Sequence, residues 1–123
     1  MIIEKKKKIL VVDDAKPLRN ALIEYLTNAN YEVVEAKDGK EGVSMYKMHN
    51  PDLVLMDISM PKLNGVEALQ KIKEYDHQAH VIMVSKDDDY ETIDDCKGFG
   101  AIEYIVKPFS MDVLLQAVYV ALN

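Results

Sequence analysis

The chain has 123 residues, which is room for one domain with its own core and too little for two. With 15 Lys and Arg against 21 Asp and Glu its net charge is −6, which argues against direct nucleic-acid binding, because phosphate contacts need clustered cations. An apolar content of 49% argues against disorder, the lone Cys96 rules out an internal disulfide, and no apolar run approaches the ~20 residues of a membrane span.

Met1-Ile2-Ile3-Glu4 and then Lys5 to Lys8 lack the long apolar core of a signal peptide, so a cytoplasmic protein is expected. The lysine run reads as a solvated lead-in rather than a membrane or nucleic-acid patch. Ile9 to Val12 are an apolar run that stops at Asp13-Asp14, the pattern of a strand buried on both faces. Pro17 suits the first turn of a helix, and Leu18, Ala21, Leu22, Tyr25, Leu26 and Ala29 repeat at helical spacing as one apolar stripe. Asn28 to Asn30 close that helix. Tyr31 to Ala36 form a second, more polar strand, suited to an edge. Asp38 with Glu41 has capping-box spacing and opens a second helix, with Val43 and Tyr46 facing inward and Asn50-Pro51 ending it.

Leu53 to Met56 are the third strand, and they deliver Asp57 to its carboxyl end. A Ser59-Met60-Pro61 turn follows. Asn64 then caps a third helix with Glu67 three residues on and Val66, Leu69, Ile72 and Tyr75 predicted inward. His80 to Val84 are the fourth strand, with Ser85 at its end. Asp88 and Glu91 are placed to cap a short, polar fourth helix with Tyr90, Ile93 and Cys96 on one side, broken by Gly98 and Gly100. Ile102 to Val106 are the fifth strand, leading into Lys107-Pro108. Ser110 caps a last helix from Met111 to Leu122.

Strand and helix thus alternate five times with short connections, which implies parallel strands joined by right-handed crossovers, with helices on both faces. In such a sheet all carboxyl ends share one edge, where ligands bind. Asp13, Asp14, Asp57, Ser85 and Lys107 then gather in one cleft. Three crowded carboxylates repel one another unless a cation joins them, and oxygen-only donors suit a hard ion such as Mg²⁺, which keeps waters and leaves room for a phosphate. Lys107 adds a charge for a further anionic oxygen, and Ser85 a small donor. The set fits a carboxylate nucleophile, Asp57, that accepts a phosphoryl group.

The chain resembles a response-regulator receiver domain of the chemotaxis-protein type over essentially its whole length. Val11-Val12-Asp13-Asp14, Met56-Asp57, Met60-Pro61, Asn64-Gly65, Ser85 and Tyr104-Ile105-Val106-Lys107-Pro108-Phe109 carry the resemblance. It implies a flavodoxin-like, doubly wound α/β fold with strand order 2-1-3-4-5, an order that comes with the family rather than from the residues. It also implies roles: Asp57 as phosphoacceptor, Asp14 as a direct Mg²⁺ ligand, Asp13 through water, and the Ser59 backbone carbonyl as a further ligand. Lys107 would hold the phosphoryl group and join Pro108 through a cis peptide. Ser85 would move toward the phosphoryl group and Tyr104 swing inward behind it. The partners implied are a histidine kinase or phosphotransfer protein and a downstream protein, docked on the fourth helix, fifth strand and fifth helix.

Two departures stand out. Lys86 occupies a position where the family usually has a small residue, and Ser59 with Asp87 occupy positions that, in the family, help set how long the phosphoryl group lasts. The last helix is apolar on more than one face, through Val113, Leu114, Leu115, Val118, Val120 and Leu122, which suits a docking surface or a homodimer. His49, His77 and His80 share no spacing that suggests a metal, and Cys96 reads as a small core residue. Residues 1–123 are expected to be a single receiver domain with no output domain, and a phosphoacceptor protein rather than a conventional enzyme. A haloacid-dehalogenase-type phosphatase usually has a second Asp two residues after the first, where Ser59 stands. A nucleotide or flavin module wants a phosphate loop after the first strand, where Asp13-Asp14 would repel it. The remaining alternatives are a receiver-like interaction domain used without phosphate, a phosphorelay shuttle, and an excised piece of a larger regulator.

Overall fold

The computed structural model describes residues 5–123. Five strands, β1 (Lys8–Val12), β2 (Glu32–Ala36), β3 (Leu53–Met56), β4 (Val81–Ser85) and β5 (Glu103–Val106), alternate with five helices. The helices are α1 (Lys16–Asn28), α2 (Gly39–His49), α3 (Gly65–Tyr75), α4 (Tyr90–Gly98) and α5 (Met111–Leu122). All strand pairs are parallel and the sheet order is β2-β1-β3-β4-β5, the order the family resemblance implies. The polar second strand lies at an edge, as its composition predicts.

Successive residues of a strand point to opposite faces, so the buried strands feed two separate cores. Leu10, Val12, Val54, Met56, Val81 and Met83 pack with Tyr46, Ala68, Leu69, Ile72 and Cys96 under α2, α3 and α4. Ile9, Val11, Leu53, Leu55, Ile82 and Val84 pack with Leu22, Leu26, Leu114 and Val118 under α1 and α5. Continuous apolar strands are the consequence of covering both faces.

Helix starts follow the expected side-chain chemistry at three places. The Asp38 carboxylate accepts from the Glu41 N–H at 2.8 Å, Asn64 and Glu67 form a complete capping box, and the Ser110 hydroxyl accepts from the Val113 N–H. The Asp38 box is not reciprocal: Glu41 accepts from the Lys37 N–H, one residue before the expected partner. Two further expectations fail. Tyr75 is not inward but 56% exposed. Tyr46 already fills the space under the last turn of α3, its hydroxyl donating to Asp76 at 2.7 Å, and Tyr75 stands edge-on to it. In α4 the N-cap is Asp89 rather than Asp88, no side chain caps the helix backbone, and Glu91 plays no part. Tyr90 is 80% exposed and only Cys96 of that helix is buried, because α4 meets the sheet through its last turns alone.

No helix among the described residues is long and apolar enough to cross a membrane.

Candidate functional site

Register brings the strand ends level. Val12 lies beside both Ala36 and Met56, Met56 beside Met83, and Ser85 beside Val106. The ladder runs on past the strands: the Asp13 N–H donates to the Ala36 carbonyl, the Asp57 N–H to the Val12 carbonyl and the Lys107 N–H to the Ser85 carbonyl. The backbones of these three candidate site residues are therefore fixed by the sheet itself. Such positions tolerate little drift, which suits a site whose groups must meet within hydrogen-bond distance.

Gly65 closes the site from the α3 side. Its N–H donates to the Ile58 carbonyl at 2.8 Å. A Cβ there would lie 1.9 Å from the Asp57 carbonyl oxygen. Only a residue without a side chain lets α3 start this close to the end of β3.

Asp14, Asp57, Ser59, Ser85, Lys86, Asp87, Asn64 and Lys107 line one cavity of about 770 Å³. Carboxylate oxygens of Asp13, Asp14 and Asp57 all lie within 4.8 Å of one another. Their surroundings differ. Asp13 is 2% exposed and both its oxygens are taken: Oδ1 accepts from the Ala15 N–H at 2.8 Å and Oδ2 from Lys107 Nζ at 3.1 Å. Asp57 is 6% exposed, and its Oδ1 accepts from the Ile58 N–H at 3.0 Å and from Lys107 Nζ at 3.4 Å. Among the described residues Asp57 Oδ2 has no partner and no buried polar side-chain atom goes unpaired, so Oδ2 is open to the cavity. Asp14 is exposed at the cavity wall.

Burial and the neighbouring Asp13 charge push the Asp57 carboxyl up to about 6, against the opposing pull of Lys107 and the Ile58 N–H. An acid crowded in this way favours a cation beside it. One fully engaged carboxylate, one half-engaged, one free and no nitrogen or sulfur donor is a set that fits a hard divalent ion with bound waters.

Ser85 is buried, and its hydroxyl oxygen accepts from the Asp87 N–H at 3.1 Å. Tyr104 lies behind the cavity rather than in its wall, half-buried, its hydroxyl donating to the Asp87 carbonyl at 2.6 Å. Burial pushes its phenol up. Ser59 is exposed at the rim, as is Lys86. The Lys107–Pro108 peptide is cis.

Arg19 was not anticipated. It is buried on α1, donating from Nη1 to the Asp13 carbonyl at 2.7 Å and from Nε to Glu35 Oε1 at 2.8 Å. The signal is in the sequence: Arg19, Leu22 and Leu26 are spaced three and four residues apart, so the cation sits on the apolar stripe and needs hydrogen-bonding partners.

A doubly wound parallel sheet with acids and a lysine at its carboxyl edge places the chain in the flavodoxin-like α/β class. A family model for the response regulator receiver domain matches residues 9–119, and the chain belongs to that family, a receiver domain of two-component systems. It is similar to the chemotaxis protein CheY of Bacillus subtilis, at 44% identity over 117 residues that cover 94% of this chain and 98% of that one. Among solved structures it is similar to the CheX–CheY complex of Borrelia burgdorferi with BeF₃ and Mg²⁺, at 36% identity and a TM-score of 0.91, covering 95% of this chain and 90% of that one. The response regulator TrrA of Thermotoga maritima, in complex with Mg²⁺ and BeF, matches with a TM-score of 0.86 and 35% identity over 94% of this chain and 98% of that one.

Proposed function

We propose that this chain is a phosphate-operated switch of a two-component system, with Asp57 as the phosphoacceptor. The observation that carries this reading is the asymmetry of Asp57: one oxygen is held by the Ile58 N–H and Lys107, while the other is open to an acid-lined cavity.

The open oxygen attacks the phosphorus of a phosphohistidine on a kinase or phosphotransfer protein, or of a small phosphodonor. The P–N or P–O bond to the donor breaks, its electron pair departs with the donor (a histidine that takes a proton from solvent, or a carboxylate that needs none), and an aspartyl phosphate remains. Asp14, Asp57 and the Ser59 carbonyl would hold Mg²⁺, with Asp13 reaching it through water. Mg²⁺ supplies charge neutralisation to the phosphoryl oxygens. Asp13 is suited to the indirect role because both its oxygens already have protein partners, whereas Asp14 has free ones. Lys107 lies 3.4 Å from Asp57, close enough to follow the new phosphoryl group as a point charge. No acid or base is needed to start the transfer.

Ser85 and Tyr104 are the transmitting pair. Both are hydrogen-bonded to Asp87, Ser85 to its N–H and Tyr104 to its carbonyl. A phosphoryl group that draws in the Ser85 hydroxyl pulls on the loop that Tyr104 holds, and so biases the face made of α4, β5 and α5. A downstream protein reads that face, where Val106, Val113 and Val120 are exposed. A second copy of the chain is the other candidate for it. The chain acts in the cytoplasm as one receiver domain, and it takes up and loses its phosphoryl group without being a conventional enzyme.

Intact mass after incubation with acetyl phosphate tests the reading. One added phosphoryl group is expected with Mg²⁺ and none after chelation or in Asp57→Asn. Addition to Asp57→Asn, or equal addition without metal, overturns it.

A further inference from the structure

We infer that Arg19 is a positioning residue for the divalent-ion site: it fixes the peptide plane that carries Asp14. The inference rests on the Mg²⁺ reading above.

Asp13 and Asp14 share a peptide just beyond the end of β1. The sheet holds Asp13 on its N-terminal side, through its N–H and the Ala36 carbonyl. Its carboxylate is tied to Ala15 and Lys107. The carbonyl of the shared peptide has one hydrogen-bond donor among the described residues, Arg19 Nη1 at 2.7 Å. Beyond that peptide Asp14 is exposed, and among the described residues its side chain has no protein partner. The chain then enters α1 at Ala15, an N-cap that offers no side-chain bond. The 13–14 peptide, and with it the direction of the free carboxylate, is thus held from two sides, by the turn between the Asp13 carboxylate and the Ala15 N–H and, at its carbonyl, by Arg19.

The charge of Arg19 pulls the other way. A cation beside a divalent-ion site weakens ion binding by Coulomb repulsion. Glu35 offsets part of that charge, because its Oε1 lies 2.8 Å from Arg19 Nε. Together they form a clamp whose effect on the ion is geometric. The planar fork of Arg allows it to bond the carbonyl and the carboxylate at once, which a Lys ammonium on a flexible stem does less well.

The test is Mg²⁺ affinity by titration calorimetry on metal-free protein, with the melting temperature of the same metal-free samples read beside it. The variants are Arg19→Met, Arg19→Lys and Glu35→Gln. Removing the brace behind a metal ligand typically costs on the order of tenfold in affinity. Arg19→Met is therefore expected to raise the Mg²⁺ Kd about tenfold. Arg19→Lys, which fills the same space and keeps the charge, is expected to recover only part of that loss. Glu35→Gln keeps the carbonyl bond and removes a partner that is itself half exposed, so the geometry at Asp14 is kept and its Kd is expected to rise less than about threefold.

An unchanged or tighter Kd in Arg19→Met overturns the inference, since the charge effect alone predicts tightening. So does a full return to the parent Kd in Arg19→Lys. If Arg19→Met does not fold, a raised Kd in Arg19→Lys at an unchanged melting temperature supports the positioning role, and an unchanged Kd in that variant overturns it. A parent protein that binds no Mg²⁺ overturns the functional reading and this inference together. A parent that binds Mg²⁺ beside an unaffected Arg19→Met overturns this inference alone.

Discussion

Two helices flank the cavity and follow adjacent strands, yet they are held very differently. α3 starts with a reciprocal capping box, buries Gly65, Ala68, Leu69 and Ile72, and touches the Asp57 backbone at its first residue. α4 has no side-chain cap to its backbone, buries only Cys96, and presents Glu91, Asp94 and Asp95 to solvent. A reactive carboxylate needs a fixed backbone, and a signal needs a part that moves at low cost. On the proposed reading, α3 suits the first requirement and α4 the second, with the Ser85–Asp87 loop between them. Segments with few buried contacts are those that open most readily, so amide exchange is expected to be faster in α4 than in α3.

The sharpest way to break this contrast is to fill the contact that anchors α3. In Gly65→Ala the new methyl group would lie 1.9 Å from the Asp57 carbonyl oxygen and 2.7 Å from the Ile58 Cα, both backbone atoms that cannot step aside. Forcing such a group into a packed site typically costs about 1–3 kcal/mol, and this position belongs at the upper end. Denaturant unfolding is expected to show a loss of about 3 kcal/mol, with weaker phosphorylation in the fraction that stays folded.

Asp57 itself provides the next effect. Its carboxyl is raised from 3.8 to about 6 in the folded protein. The native state therefore holds this proton more tightly than the unfolded chain does, and stability falls as pH rises from about 4 to about 6. Below that window the penalty is absent, and above it the penalty is complete. A shift of two units corresponds to roughly 3 kcal/mol, and partial solvent access at the open oxygen reduces it to about 1–2. Other carboxylates titrate over the same range, so the quantity to follow is a difference. Metal-free Asp57→Asn is expected to match the parent near pH 4 and to exceed its stability by about 1–2 kcal/mol at neutral pH. Mg²⁺, which favours the charged carboxylate, is expected to narrow that gap. A constant difference across the range removes the electrostatic account.

The strength of each sequence signal tracks how local its physical cause is. Five strands and five helices were readable because continuous apolar runs and helical stripes state their own burial, as in Leu53–Met56 and in Leu18, Leu22 and Leu26. The strand-end gathering of Asp13, Asp57 and Lys107 followed from parallel topology alone. The strand order did not, and it came from the family resemblance. What escaped depends on contacts across the fold. Tyr75 has the spacing of a core residue, but Tyr46 from another helix holds its place. Tyr90 sits one turn too early on α4 to reach the sheet. Arg19 is hidden in the sequence because a cation is normally a surface residue, while its partners, a carbonyl six residues back and a glutamate on β2, become neighbours only after folding.

The smallest expected effects complete the contrast between the two helices. Asn64→Ala removes the side chain that accepts from the Glu67 N–H at 3.0 Å, and loss of an N-cap costs about 1 kcal/mol. Asp89→Ala, at the equivalent position of α4, removes only a 3.3 Å contact with the exposed Thr92 hydroxyl and is expected to change stability by less than about 0.5 kcal/mol. Gly98→Ala goes further. A Cβ at Gly98 meets nothing within 4 Å, and the residue closes α4 without a left-handed backbone. The substitution therefore lowers the freedom of the unfolded chain at no steric cost and is expected to stabilise by about 0.5 kcal/mol. The same Gly→Ala change thus carries opposite signs in α3 and in α4. If Gly98→Ala also slows amide exchange in α4 while leaving α3 unchanged, and shifts the response of the α4–β5–α5 face to beryllium fluoride, then looseness in α4 is part of how the switch works. If exchange slows and the response does not change, the motion resides in the Ser85–Asp87 loop, and α4 is a bystander with a soft packing surface.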